Sequence, residues 1–163
     1  VKGGQSYDAS TLASKICQVY PELRQAFRDN ANEYGEFLPE EFFTKHANAL
    51  IVDTIKKNDP QTMKKLFNIL NEIYDDGSSE VQDIIAVTIL GELNNDTELL
   101  ATCVDYMNDS MAPVVIAVNK YLASPGGKKA RKKMLNPPPY KPNKEKKKGF
   151  MASLMEQQSN LQQ

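Results

Sequence analysis

The chain has 163 residues, 40% of them hydrophobic, and contains no tryptophan and two cysteines, which suits one domain with a real core and leaves too little for two. Its longest apolar runs are too short to span a bilayer, so we expect no membrane helix. The net charge of −1 hides an asymmetry: residues 1–122 carry 19 acidic and 10 basic side chains, whereas residues 123–163 carry 2 and 10, so the body is acidic and the tail basic.

We predict a folded domain over residues 8–124, preceded by a disordered N-terminus at residues 1–7. The first ten residues lack the apolar core of a secretory signal, and the chain begins with Val1 instead of methionine, which indicates a cut or processed end. Cys17 and Cys103 each lie among apolar neighbours in a helical pattern, so we expect small buried thiols and leave a disulfide between them open. A reducing cytoplasm is the expected location.

Three helices are predicted in the first third of the chain. Asp8 or Ser10 can cap the first helix, whose apolar stripe ends before Pro21. Pro21 suits the first position of a second helix, and Gly35 offers its C-terminal stop. The third helix begins at Pro39 and carries a wide apolar face, so we expect it to be long and deeply buried.

Further helix starts are predicted in the second half of the domain. Asp59 caps and Pro60 starts a fourth helix, which has the cleanest 3.6-residue periodicity in the chain. It ends at Gly77, and the short connection that follows forces the next helix to be an antiparallel neighbour. Asp96 then caps a sixth helix, and Ser110 caps a seventh.

The fifth helix, within residues 78–93, is the segment around which we expect the fold to be built. Ser79 with Gln82 three residues later has the form of a capping box. Residues 84–90 are apolar except for Thr88, so this helix has to be covered on several sides by other elements. A buried strand over residues 84–90 is the alternative, but the length of the segment and the lack of flanking turn signals favour a helix.

These elements predict an all-α fold, a compact bundle of about seven short helices joined by brief polar connections. Helix pairs stacked in the manner of HEAT repeats are the alternative. We find no sequence repeat at fixed spacing, which disfavours a repeat array.

Composition changes in the tail, residues 125–163. Its run of prolines and lysines cannot bury enough apolar surface to offset the entropy of ordering, so we predict an extended linker. We expect the last stretch to be a disordered end, and the alternative is a short helix on a partner's groove, because its apolar residues have helical spacing. The basic residues of the tail are Lys128, Lys129, Arg131, Lys132, Lys133, Lys146, Lys147 and Lys148, and its hydrophobic motif is Phe150, Met151, Leu154 and Met155.

The sequence offers few residues for chemistry. His46 is the only histidine, so a set of two histidines and a carboxylate for a metal is missing, and we expect His46 to pack at the edge of the core. Gly126 and Gly127 before two lysines resemble a phosphate loop, but no strand precedes them. We therefore predict no catalytic residues, no metal, no cofactor and no small-molecule substrate.

Most of the body, residues 16–122, resembles a family of small all-helical bacterial proteins of uncharacterised function that are often immunity-like proteins of polymorphic toxin systems. The stretches that carry the resemblance are VYPELRQAF at 19–27, EYGEFLPEEFF at 33–43, EVQDIIAVTILGEL at 80–93 and LLATCVDYM at 99–107. In that family a histidine often follows the Leu-Pro pair, where this chain has Glu40. The resemblance implies a cytoplasmic protein that binds a cognate toxin.

Two functions are therefore expected, both without catalysis. The first is an immunity protein that neutralises a cognate toxin, such as a basic nuclease, because complementary charge speeds encounter and suppresses wrong partners. The second is a helical adaptor or chaperone whose basic tail recruits a protein partner or nucleic acid by neutralising phosphates.

Two groups of carboxylates are candidates for the partner-binding surface. The acidic corner lies where the fourth helix ends and the central helix begins, which clusters like charges at some cost in self-repulsion. The second group lies at the junction before the third helix. The acidic corner consists of Asp75, Asp76, Glu80 and Asp83, and the second junction of Glu33, Glu36, Glu40 and Glu41.

Overall fold

Helices make up the described part of the chain, as the sequence predicts. A computed structural model describes residues 7–94, 96–127 and 129–130. Within them, eight α-helical segments form seven continuous stretches, because a π-helical segment joins two of the eight. This part contains no strand, and its one isolated β-bridge joins Tyr7 to Gly77. The prediction of an all-α bundle is confirmed.

The seven stretches are numbered here in chain order. None of them is long and apolar enough to cross a membrane. They are α1 (Ala9–Val19), α2 (Arg24–Tyr34, after a 3-10 turn at Pro21–Leu23), α3 (Pro39–Phe42, a π-helical segment at Phe43–Ala47, then Asn48–Lys57), α4 (Pro60–Asp76), α5 (Ser79–Asp83, a π-helical segment at Ile84–Ile89, then a 3-10 turn at Leu90–Leu93), α6 (Thr97–Val104) and α7 (Ala112–Ala123).

Three of the predicted helix starts are confirmed by their caps. The Asp8 carboxylate accepts a hydrogen bond from the Thr11 amide at 2.8 Å, and the Asp59 carboxylate accepts one from the Thr62 amide at 3.0 Å. Asp96 caps α6 in the same way. Each cap satisfies an amide that has no partner within its own helix, which is why these residues start helices.

The predicted capping box at the start of α5 is wrong by one residue. Ser78, not Ser79, is the cap, and its hydroxyl accepts a hydrogen bond from the Val81 amide at 3.3 Å. The Gln82 side chain does not reach back to the cap; its Nε2 donates to the Tyr74 carbonyl at 2.8 Å. Gln82 thereby joins the start of α5 to the end of α4.

The prediction that α5 forms the buried centre is confirmed. Every side chain of its π-helical segment, Ile84–Ile89, is buried, and Ile85 is 0% exposed. The segment packs against the π-helical segment of α3 and against α7. The alternative of a buried strand over residues 84–90 is wrong, because the run is helical throughout.

Two buried asparagines bond to the backbone of α5 where it changes from π-helical to 3-10 geometry. Asn48 of α3 donates its Nδ2 to the Thr88 carbonyl at 2.9 Å, and Asn119 of α7 donates its Nδ2 to the Leu90 carbonyl at 3.2 Å. Such a change interrupts the regular ladder of a helix, and buried carbonyls need partners. The two amides therefore hold this irregular part of α5 from either side.

The expected packing of His46 at the edge of the core is wrong. His46 lies in the π-helical segment of α3 and is exposed, while Phe43 and Ala47 of the same segment are buried. A π-helical turn places residues at angles that a regular 3.6-residue period does not predict. The prediction from helical periodicity therefore put the His46 side chain on the wrong side of the helix.

Candidate functional site

The structure brings the predicted acidic corner together around the end of α4. Asp83 is partly buried, and burial raises the pKa of its carboxyl, with a further increase from the charge of Glu80. Burial also raises the pKa of the Tyr74 hydroxyl, and the charges of Asp83 and then Asp75 raise it further. Carboxylates from both helices therefore act on the same buried tyrosine.

Asp75 of the acidic corner holds a loop in place. Its Oδ1 accepts a hydrogen bond from the Ser110 hydroxyl at 2.6 Å, and its Oδ2 accepts one from Asn108 Nδ2 at 2.7 Å. Ser110 therefore does not cap α7, and the prediction that it does is wrong. Exposed Asp109 lies between the two residues that bind Asp75, so this loop adds a carboxylate to the corner that sequence reasoning missed.

Asn71, one turn before Asp75, fastens the same loop. Its Nδ2 donates to the Tyr106 carbonyl at 2.9 Å, and its Oδ1 accepts from the Asn108 amide at 3.0 Å. The Tyr106 ring stacks on Phe67 of α4 with their centroids 6.1 Å apart. These contacts fix the loop at residues 105–110 on α4, so the backbone positions of Asp105 and Asp109 are set by the fold.

The other two members of the corner differ in exposure. Asp76 is partly buried, and its carbonyl accepts a hydrogen bond from the Tyr7 amide at 3.4 Å. Tyr7 also donates its hydroxyl to Glu72, and this bond raises the pKa of the tyrosine. Glu80 is exposed in the first turn of α5. Of the four predicted residues, Asp75 and Glu80 are exposed, and the Asp75 carboxylate is bound by Asn108 and Ser110.

An open cleft beside α6 provides a second acidic feature. It has a volume of about 450 Å³, and Glu98 and Asp105 on its wall are both exposed. The two are seven residues apart, close to two helical turns, so they lie on one side. This spacing was the sequence signal that could have identified them. The cleft is lined by Asn58, Glu98, Ala101, Thr102, Asp105 and Tyr106.

The negative charge of the second predicted junction is partly neutralised by a lysine. Glu41 forms an ion pair with Lys45 one turn later in α3, at 2.5 Å, and this contact raises the pKa of Lys45. Glu33 is exposed at the end of α2, whereas Glu36 and Glu40 are partly buried. The junction is held by buried Asn30, whose side chain bonds to both the amide and the carbonyl of residue 38.

Most of the predicted tail lies outside the described residues. Lys129 is exposed. The side chain of Lys128 and all residues from 131 onward are not described, which includes Arg131, Lys132, Lys133, Lys146, Lys147, Lys148, Phe150, Met151, Leu154 and Met155.

Both cysteines are free and buried, as the sequence predicts. Burial raises the pKa of the Cys17 thiol and raises that of Cys103 to about 12. In residues 7–94, 96–127 and 129–130, no group of three or more His, Cys, Asp or Glu side chains is placed to hold a metal ion.

We expect neither thiol to react with a chromogenic disulfide reagent at pH 8 while the protein is folded. The thiolate is the nucleophile, and a raised pKa keeps both side chains protonated at this pH. Both should react within the same assay once denaturant is added, which serves as the control. Rapid modification of either thiol in the folded protein would contradict the burial of that residue.

The comparisons with known proteins give one match. A domain of unknown function, DUF7674, matches residues 13–122, which is more than half of the chain and contains α2 to α6, α1 from its fifth residue onward and all but the last residue of α7. No curated protein and no solved structure matches the chain. The acidic corner and the acidic cleft both lie within the matched region. The chain therefore belongs to the family defined by the DUF7674 domain.

Proposed function

We propose that this protein is a non-catalytic protein-binding module whose acidic surface binds a basic protein partner. The acidic surface comprises the exposed carboxylates of Glu80, Glu98, Asp105 and Asp109. The observation that carries the proposal is the attachment of the loop at residues 105–110 to α4 through Asp75 and Asn71. This attachment holds the loop that carries Asp105 and Asp109 in place before any partner arrives.

Preorganised charge favours binding for two physical reasons. Side chains on an ordered scaffold lose less freedom on association than those on a mobile loop. Clustered charge of one sign also creates a field that attracts an oppositely charged partner and raises the association rate, an effect that salt weakens. A basic protein is therefore the partner that this surface fits best.

The partner that we propose more specifically is a bacterial toxin. The resemblance of residues 16–122 to immunity-like proteins supports this choice, and the acidic surface suits a toxin with a basic active face, such as a nuclease. An immunity protein of this kind acts by occlusion: it covers the surface that the toxin uses on its own substrate. Complementary charge would add speed and selectivity to that binding.

The test begins with the full chain as bait in a lysate of its native cells, followed by identification of the stoichiometric partner. Association rates with the purified partner are then measured at low and high salt. We expect the triple variant Glu80→Lys, Glu98→Lys and Asp105→Lys to slow association at least about tenfold at low salt and to flatten the salt dependence. Its folding is checked by circular dichroism.

A matched control separates the position of the charges from their number. Glu22, Asp29 and Glu33 are exposed on and before α2, and reversing these three to lysine changes the net charge by the same amount. We expect association of this control to slow much less than that of the first triple variant. Equal slowing by both triples, or no slowing by the first, would overturn the acidic surface as the binding site. If this protein protects cells from the purified partner, the proposal that the partner is a toxin is supported. If the purified partner is harmless to cells, that proposal is overturned.

A further inference from the structure

The outward face of α7 is apolar, which is unusual for a helix at the surface. Val114 is 39% exposed and Ile116 is 40% exposed, and Pro113 and Ala117 are exposed beside them. Lys120 is the one charged residue of Ala112–Ala123. A surface helix normally carries its charged and polar residues on the outer side. These contiguous apolar side chains offer a small surface that a short apolar segment can cover.

A second helical turn follows directly after α7, with residues 125–127 and 129–130 helical. The Ser124 hydroxyl accepts a hydrogen bond from the Gly127 amide at 3.2 Å, and Gly127 is buried. A Cβ atom at residue 127 would lie 2.6 Å from the Cα of Leu122, so only glycine fits this close approach. This helical turn therefore packs on the last turn of α7, and the chain at residue 127 lies beside that end of the helix.

We propose that residues 150–155 of the tail dock on the outward face of α7. This segment carries the hydrophobic motif Phe150, Met151, Leu154 and Met155. The charges of the two elements are also opposite. Glu156 is the one charged residue of 149–163, and Lys120 is the one charged residue of α7. The contact would bury two apolar surfaces that otherwise face water and would place opposite charges side by side.

The length of the intervening chain suits this contact. Nineteen residues separate the last described residue, Ala130, from Phe150. The extended linker predicted from its prolines and lysines can reach up to roughly 60 Å, at about 3.1 Å per residue, whereas a helix of 12 residues such as α7 is about 18 Å long. The motif can therefore reach every part of the outward face of α7, and the tether raises its local concentration there.

The small area of the apolar face of α7 favours a tethered segment over a second copy of the protein as its partner. One side of a 12-residue helix offers on the order of 200 Å², whereas a stable dimer buries about 800 Å² per partner. A tethered segment avoids most of the entropy cost that two free molecules lose on association. The small apolar face of α7 therefore fits a short segment of the same chain.

The test traps the contact as a disulfide in the full chain. Ala117→Cys places a thiol on the outward face of α7, and Ala152→Cys places one inside the docking segment without removing an apolar anchor. The native cysteines are buried, so they do not compete. We expect an intramolecular disulfide under mild oxidation, formed at least roughly tenfold faster than in a control that pairs Ala152→Cys with Ser14→Cys, because docking raises the local concentration. Ser14 is exposed on α1.

Adding Phe150→Ser and Leu154→Ser to the test pair should reduce its rate to that of the control, since these changes remove the apolar anchors and leave the linker intact. Equal rates for the test pair and the Ser14 control would overturn the proposal. A disulfide that forms between chains, at a rate that rises with protein concentration, would overturn it in favour of a second copy. This contact does not involve the acidic surface, so the result is independent of the proposed function.

Discussion

Ile85→Asp is expected to abolish cooperative folding of the domain. Ile85 is 0% exposed in the π-helical segment of α5, which other helices enclose. A carboxylate there would lose its hydration without gaining a partner, a change that belongs to the small class costing about 4–5 kcal/mol or more. Domains of this size are stable by about 5–15 kcal/mol, so such a loss removes about a third of the stability or more, and all of it at the lower end of that range. Thermal unfolding followed by circular dichroism measures it.

Ser14→Asp is the control for this substitution. It introduces the same carboxylate on α1, at a side chain that is exposed. We expect a change in the free energy of unfolding of about 0.5 kcal/mol or less, as for other surface substitutions. A soluble Ile85→Asp protein whose melting temperature matches that of the control would show that α5 is not the buried centre.

Asn119→Ala is expected to lower the free energy of unfolding by about 2–4 kcal/mol, from the loss of two buried hydrogen bonds together with the cavity left behind. Asn119 is 0% exposed, and its Nδ2 donates to the Leu90 carbonyl of α5 and to the Val115 carbonyl of α7. Without the amide, the Leu90 carbonyl loses this bond in a place that water does not reach. Urea denaturation monitored by circular dichroism measures the difference.

Asn68→Ala provides the comparison, because Asn68 is an exposed asparagine on α4. Alanine is also the better helix former there, so we expect little change or a slight gain in stability. If both variants unfold at the same urea concentration, then Asn119 does not stabilise the irregular part of α5. A large effect at Asn119 alone would establish that the bond across α5 and α7 matters.

Much of the fold follows from local patterns in the sequence. Asp59 followed by Pro60 starts α4, and Gly35, with a φ of 71°, ends α2, because a side-chain oxygen, a proline ring and a glycine each act within one helical turn. The apolar content of residues 84–90 likewise predicts burial wherever the segment lies. Such effects depend on neighbours in the chain, so the sequence reveals them.

The candidate site was only partly predictable for the same reason. Asp75 and Glu80 were expected at one corner because a short turn separates them in the sequence. The bonds from Asp75 to Asn108 and Ser110 join residues more than 30 positions apart, and the sequence contains no local sign of them. Asp109 therefore became part of the corner only in the folded structure.

The sequence by itself determined the all-α class, most helix boundaries and the burial of α5, because caps, prolines and apolar periodicity act over a few residues. Only the tertiary structure decided the π-helical segments of α3 and α5, the outward position of His46 and the buried bonds of Asn48 and Asn119. These features depend on how two irregular helices fit against each other. A helix departs from regular geometry when contacts with its neighbours compensate for the change, and those neighbours come from distant parts of the chain.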